Sequence, residues 1–380
     1  MFCVNLGTRG PDEARQFIEY CNHPGGTILS ERRKAHGYPE PHGIKLWGLG
    51  NEQDGPWQIG EKPARDYGQI AKETAKLMRW TDPTIQLSAC GSSNAEMKSF
   101  GAWEYEVLEQ CYDQVDMLSL HQYFAKTGDG YDFQTAIDAM GRYIEQVVAI
   151  CDAVGAKRRS AKKIMLSFDE YNVWYKARQT GMLDRPKDWP VGPAFNEEIY
   201  NHEDALVLGG AMIALLNHCD RVKVSCLAQL VNVIAPIMTE NGGGAWKQPI
   251  FFPFADASRI GHGRVLRQAV DVAGFATRSA ASAPYLLSTV VAGDDGQVSV
   301  LALNRHLSEP MTLTLSLRGF EQQLRVKRAT ELVSDDLMAV NTQQQPDRVV
   351  PQPLSRVRIG GSELTAELAP ASWTVIELEA

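Results

Sequence analysis

Between residues 3 and 227 short apolar runs alternate with amphipathic stretches, and this alternation restricts the chain more than any other feature. It is the pattern of βα units laid around a parallel sheet. Strands are predicted at 3–6, 44–49, 85–90, 117–120, 164–168 and 222–227. Helices are predicted between them. The first, 11–21, opens on Pro11 and two acids and carries Ala14, Phe17, Ile18 and Cys21 on one face. The others cover 64–80, 103–111, 137–151 and 203–217. From about residue 285 the apolar period falls to two, with Gly, Asp and Pro turns, as in an antiparallel sandwich. A helix at 261–273 is expected to join the parts, which divides the chain into a barrel-type domain, 1–275, and a β-sandwich, 276–380. The polar loop 175–201 exceeds an ordinary connection and is a candidate active-site lid. A closed barrel needs eight strands, and only six are legible in these 380 residues.

The charge balance narrows the partners. The chain has 46 acidic and 38 basic residues, a net charge of −8, so a protein built to hold phosphate backbones is not expected. No run of about 18 apolar residues occurs, and the first residues show no basic start followed by an apolar stretch. Neither a membrane nor an export pathway is therefore expected. The seven cysteines are odd in number and include no C-x-x-C pair, which suits buried thiols in a reducing, cytoplasmic setting.

Two predicted strands end in carboxylates. Asn51 and Glu52 follow the second strand in a loop rich in glycine and tryptophan, and Asp169 and Glu170 stand at the end of the fifth. On a parallel barrel the carboxyl ends of the strands form the catalytic rim. A pair of carboxylates from two strand ends is what glycoside hydrolysis requires, one protonated to donate to the leaving oxygen and one ionised to attack the anomeric carbon. Trp57 and Trp174 lie beside the pair and offer faces to sugar C–H surfaces.

Several residues have two readings. A single glutamate at a strand end is ordinarily a solvated loop residue; it is the pairing that points to chemistry. Asp54 and Asp169 read as structural, binding backbone amides or an arginine. His121 either orients a carboxylate or is hydrogen-bonded into the rim. Gln229 and Asn232 either bind sugar hydroxyls or hold their own loop. Trp246, in a glycine-rich loop, is either a stacking platform or a plug, and Arg32 and Arg33 read as a solvated surface pair. No H-E-x-x-H, Walker A, G-x-G-x-x-G after a strand or G-x-S-x-G is present, so metal-dependent hydrolysis, nucleotide use and serine esterase chemistry lack a motif.

The segments Val4-Asn-Leu-Gly-Thr-Arg-Gly-Pro-Asp-Glu-Ala14, Gly50-Asn-Glu-Gln-Asp-Gly-Pro-Trp-Gln58, Cys90-Gly-Ser-Ser-Asn94, Ser119-Leu-His-Gln-Tyr123, Ser167-Phe-Asp-Glu-Tyr-Asn-Val-Trp174 and Gln229-Leu-Val-Asn-Val-Ile-Ala-Pro236 together resemble the α-L-arabinofuranosidases of glycoside hydrolase family 51. The resemblance covers almost the whole chain. It implies a (β/α)8 barrel of the TIM type with a C-terminal all-β sandwich, here lacking the first two barrel strands. It also implies a retaining, metal-independent and cofactor-free enzyme, cytoplasmic and a homo-oligomer, acting on arabinose-containing oligosaccharides. By the same resemblance Glu52 is the general acid/base, Glu170 the nucleophile, and Asn51, Tyr123 and Gln229 hold the sugar. Gln53, Tyr171 and the Ser30–Arg33 segment depart from the family's usual residues without removing either glutamate. Two alternatives remain open: another retaining glycosidase on the same barrel, such as an endoglucanase or xylosidase, and a non-catalytic carbohydrate-binding remnant.

Overall fold

Near-continuous apolar runs form strands buried on both faces when helices cover a parallel sheet, and the first half of the chain does this. The computed structural model describes residues 1–176, 189–194, 196–320 and 323–380. Six strands make one sheet in sequence order: β1 (Phe2–Val4), β2 (Leu46–Leu49), β3 (Gln86–Cys90), β4 (Met117–Phe124), β5 (Met165–Val173) and β6 (Val222–Leu227). The pairs β1–β2, β2–β3 and β3–β4 are parallel, with Cys3 opposite Gly48, Gly48 opposite Ser88 and Ala89 opposite Leu118. In this order β1 and β6 are the two ends of the sheet. Eight helices are described: α1 (Pro11–Asn22), α2 (Ile28–Ala35), α3 (Ala64–Thr81), α4 (Ala102–Cys111), α5 (Gly130–Gln134), α6 (Ala136–Lys157), α7 (His202–Asn217) and α8 (Phe251–Ile260).

The chain divides into two compact units. The first comprises 1–122, 142–171 and 220–226, and the second 123–141, 172–219 and 227–380.

In the first unit α3 buries Tyr67, Ala71, Ala75 and Met78, the helical spacing expected from the sequence. Trp47 of β2 is fully buried, its indole N–H donating to the Ile44 carbonyl at 2.9 Å and its ring meeting Phe17 edge-on at 5.3 Å. Tyr67 has a second task. Its hydroxyl donates to the Leu49 carbonyl and accepts from the Cys90 amide, both at 2.7 Å, so one phenol joins the last residues of β2 and β3. Four cysteines of the seven are buried, and all seven are free thiols.

One expectation for this unit changes. Arg33 is not a surface residue: it is fully buried, and its guanidinium donates to the carbonyls of Tyr20, His23, Pro24, Tyr38 and Pro39. Only Arg32 of that pair is exposed. The arginine staples the turns on either side of α2, a short helix whose weak apolar pattern left no periodic signal. Thr27 caps it, accepting from the Ser30 amide.

The second unit contains the sandwich. One sheet orders the strands Gln352–Pro353, Arg325–Leu332, Ser372–Glu379, Val298–Asn304, Leu286–Ala292 and Arg264–Leu266; the other orders Met311–Ser316, Glu363–Leu368 and Val357–Gly360. Alternate residues of both sheets, among them Val300, Leu313, Leu364 and Ile376, share one buried apolar cluster. The helix expected at 261–273 is absent. Gly263, at φ 129°, breaks the chain after α8, and Arg264–Leu266 instead pairs antiparallel with Val290–Ala292. Helix propensity there yields to the offer of a sheet edge.

Candidate active site

The Glu52 side chain is placed by a strand end and a strained turn. Leu49 closes β2, Gly50 turns at φ 86°, and Glu52 itself lies at φ 45°, a left-handed conformation that costs a non-glycine residue about 1–3 kcal/mol. The turn is held closed by the Gly55 amide donating to the Glu52 carbonyl at 2.9 Å and by the Gln53 side chain donating to the Asn51 carbonyl at 3.1 Å. Asp54 anchors the next residues. It is buried and accepts from the amide and hydroxyl of Ser93 in the loop after β3, the structural role expected for it.

Within the first unit Glu52, His121, Asp169 and Glu170 converge. His121 Nδ1 is 2.9 Å from Glu52 Oε1 and 3.7 Å from Glu170 Oε2. On the other side of the ring Nε2 is 3.3 Å from Asp169 Oδ1 and 3.2 Å from the Ser119 hydroxyl, which itself donates to Asp169 at 2.5 Å. Of the two readings of His121, the geometry selects the one that orients a carboxylate. Asp169 keeps its structural character, yet what it positions is the histidine. Sequence inspection missed that link, although the alternation of Ser119 and His121 on one strand face was available as a signal.

Three carboxylates around one imidazole fix its charge. Burial alone would push the His121 pKa down, but hydrogen bonds to Asp169 and Glu52 and the nearby charge of Glu170 raise it to about 10. The ring is therefore an imidazolium at neutral pH. Glu52 responds in the opposite sense: burial would raise its pKa, but the hydrogen bond and charge of His121, with N–H donors from Trp57 and Gln58, hold it below the usual carboxylate range. Trp57 donates to Glu52 Oε2, the oxygen His121 leaves free.

Ligand atoms of Glu52, His121 and Glu170 all lie within 4.8 Å of one another, close enough to surround a cation. The same distance places an oxygen of Glu52 near an oxygen of Glu170, on the scale of the ~5–5.5 Å that separates the carboxyl groups of retaining glycosidases.

Asn51 is exposed and borders a cavity of about 220 Å³ together with Ser119, His121 and Asp169. The remaining candidates belong to the second unit. Tyr123 and Trp174 meet edge-on with ring centroids 4.9 Å apart. Gln229 is exposed, its amide donating to the Ile234 carbonyl at 3.0 Å. Asn232 takes the structural alternative, exchanging hydrogen bonds with the Thr239 amide at 2.7 Å and hydroxyl at 2.9 Å. Trp246 is on a strand rather than in the glycine-rich loop: Ala245–Lys247 pairs with Ile237–Thr239, placing Trp246 opposite Met238. Of the lid candidate, 175–201, residues 177–188 and 195 lie outside the described residues. Among the described residues no helix is long and apolar enough to cross a membrane.

Comparison with known proteins bears on the family of the chain. A family model for the α-L-arabinofuranosidase C-terminal domain matches residues 169–372, and one for the α-L-arabinofuranosidase 1 domain matches residues 8–143. An intracellular exo-α-(1→5)-L-arabinofuranosidase of Streptomyces lividans is 48% identical over 99% of this chain, which spans 57% of that protein. One from Halalkalibacterium halodurans is 46% identical over 99% of the chain, which spans 74% of it. Among solved structures, a family 51 α-L-arabinofuranosidase from Bifidobacterium longum superposes with a TM-score of 0.93 at 37% identity, covering 100% of this chain and 76% of that one. The parallel sheet with carboxylates at its strand ends, the C-terminal β domain and these matches lead to one conclusion: the chain belongs to the glycoside hydrolase family 51 α-L-arabinofuranosidases.

Proposed function

We propose that the chain carries the catalytic apparatus of a retaining, exo-acting α-L-arabinofuranosidase that removes terminal non-reducing α-L-arabinofuranosyl units from arabinan- or arabinoxylan-type oligosaccharides. The observation that carries this is the approach of Glu52 and Glu170 to within 4.8 Å, from two strand ends and across one histidine. Glu170 attacks the anomeric carbon and forms a glycosyl ester as the glycosidic bond breaks; Glu52 gives its proton to the leaving oxygen. Water then attacks the ester, Glu52 takes its proton, and Glu170 is released as carboxylate.

In the free site Glu52 is ionised, the state it needs as base. To act first as acid it must gain a proton. His121 holds one 2.9 Å from Glu52 Oε1, and exclusion of water by a bound sugar favours its transfer to the carboxylate. Asn51, Tyr123 and Gln229 hold sugar hydroxyls, and Trp57, Trp174 and Trp246 offer apolar faces. The names of the Streptomyces and Halalkalibacterium relatives support a site of action inside the cell, and the family supports a homo-oligomer. No cofactor enters the scheme. Steady-state release of the aryl alcohol from an aryl α-L-arabinofuranoside, lost in Glu170→Ala and reduced in Glu52→Ala to a single burst, tests this assignment; full turnover in either variant would overturn it.

The sheet is proposed to be six strands of a (β/α)8 barrel, which two further strands between β6 and β1 would close. The open sheet order and the 47% exposure of Phe2 on β1 support this.

A further inference from the structure

We infer that Asn172 is a positioning residue for sugar binding, its side-chain amide clamping shut the loop that presents Gln229. The inference rests on the reading of Gln229 as a group that holds a sugar hydroxyl. Asn172 lies on β5, two residues beyond Glu170, and is fully buried. A buried amide is no mere filler, because it must find partners once it leaves water.

Those partners are the two feet of one loop. The Asn172 NH2 donates to the Ala228 carbonyl and, at 2.6 Å, to the Ile234 carbonyl, while Oδ1 accepts from the Val173 amide at 2.8 Å. Two carbonyls and one N–H admit a single orientation of the side chain, so each of its two amide hydrogens serves one end of the loop. The Ile234 carbonyl also accepts from the Gln229 amide at 3.0 Å, which closes 229–234 on itself. Ala228 and Ile234 are buried, whereas Gln229, Leu230 and Val231 between them are exposed. The residue that is to meet the sugar therefore follows directly on a clamped foot.

The loop does not keep this shape by local preference. Asn232 at φ 63° and Ile234 at φ 37° are both left-handed, and for a β-branched isoleucine that is an outlier. Such conformations persist where the surroundings over-determine them. Here the Asn196 carbonyl accepts from the Ile234 amide at 2.7 Å, Asn232 is bonded to Thr239, and Asn172 reaches both feet at once. Aspartate has the same shape as asparagine but no N–H to give, and its charge would face two carbonyl oxygens.

A double-mutant cycle separates positioning from plain stability, because two residues that act through one another are not additive. Calorimetry with arabinobiose uses the full chain carrying Glu170→Gln, so that no turnover is needed. Gln229→Ala is expected to weaken binding about tenfold or more, and Asn172→Asp about tenfold. In the Gln229→Ala background Asn172→Asp is expected to add less than about twofold, while its urea midpoint falls equally in both backgrounds. If Asn172→Asp does not fold, the neutral truncation Asn172→Ala carries the same cycle, and failure of both to fold would overturn the inference by making Asn172 a residue of the fold alone. Unchanged affinity in Asn172→Asp, or its full loss repeated in the Gln229→Ala background, would also overturn it. Unchanged affinity in Gln229→Ala would instead remove the reading of Gln229 on which the clamp depends, and the single variants tell the two failures apart.

Discussion

His121 Nδ1 stands 2.9 Å from Glu52 Oε1, a hydrogen bond that pushes the two groups in opposite directions: with Asp169 and Glu170 it raises the pKa of the ring, and with Trp57 and Gln58 it lowers that of the carboxyl.

The first prediction concerns pH and stability. His121 has its pKa raised from 6.5 to about 10 in the fold. Between those values the folded chain keeps a proton that the unfolded chain has released, so this contribution is complete below about pH 6.5 and fades as pH climbs toward 10. Denaturant midpoints should therefore fall with rising pH across that window. In His121→Asn the slope should be shallower by up to one proton. An identical slope in the variant would show that another group carries the titration.

The roles proposed for the two glutamates predict different rescue chemistry. With an activated aryl leaving group, Glu52→Ala should form the glycosyl-enzyme and stall until azide attacks, giving a product of retained configuration. Azide on Glu170→Ala should give the inverted adduct. The anomeric proton coupling of the two products decides, and the same anomer from both would refute the assignment.

Arg33 predicts a large loss of stability without any contact with substrate. Truncation to Ala removes the fully buried guanidinium and its hydrogen bonds to five carbonyls, and Arg33→Ala should cost on the order of 3 kcal/mol in urea unfolding. A cost below about 1 kcal/mol would mean that water replaces the guanidinium at these carbonyls.

Tyr67→Phe tests the link between strand ends and chemistry. Loss of the hydroxyl leaves the Leu49 carbonyl and Cys90 amide without their partner, at an expected 1–3 kcal/mol. Because Leu49 leads directly into the Glu52 turn, kcat is expected to fall with KM little changed. Wild-type kcat would show that the turn holds itself.

Chelation provides a simple control. An imidazolium is a poor ligand, so EDTA is expected to leave aryl arabinofuranoside hydrolysis unchanged. Loss of activity restored by one divalent ion would move Glu52, His121 and Glu170 into a metal site.

Much of this was legible in the sequence because the decisive signals are local. Apolar runs at 46–49, 86–90 and 222–227 form strands wherever helices can cover them, and a glutamate just past such a run has little choice but the rim. What stayed hidden depends on contacts distant in the chain. The burial of Arg33 is decided by carbonyls on both sides of α2, and the role of Asp169 by a serine and histidine about fifty residues earlier. The missing helix at 261–273 has the same cause: no local property of Arg264–Leu266 announces the strand at Leu286–Ala292 that captures it.

Glu52 holds its place against its own backbone, at φ 45°. Glycine or asparagine would occupy that turn more comfortably, so the glutamate is kept there at a cost to the fold. A descendant that retained the sheet but merely bound carbohydrate would be expected to relax at this position early, gaining robustness as it lost chemistry. On the proposed assignment, position 52 is where a loss of chemistry would also relieve the backbone.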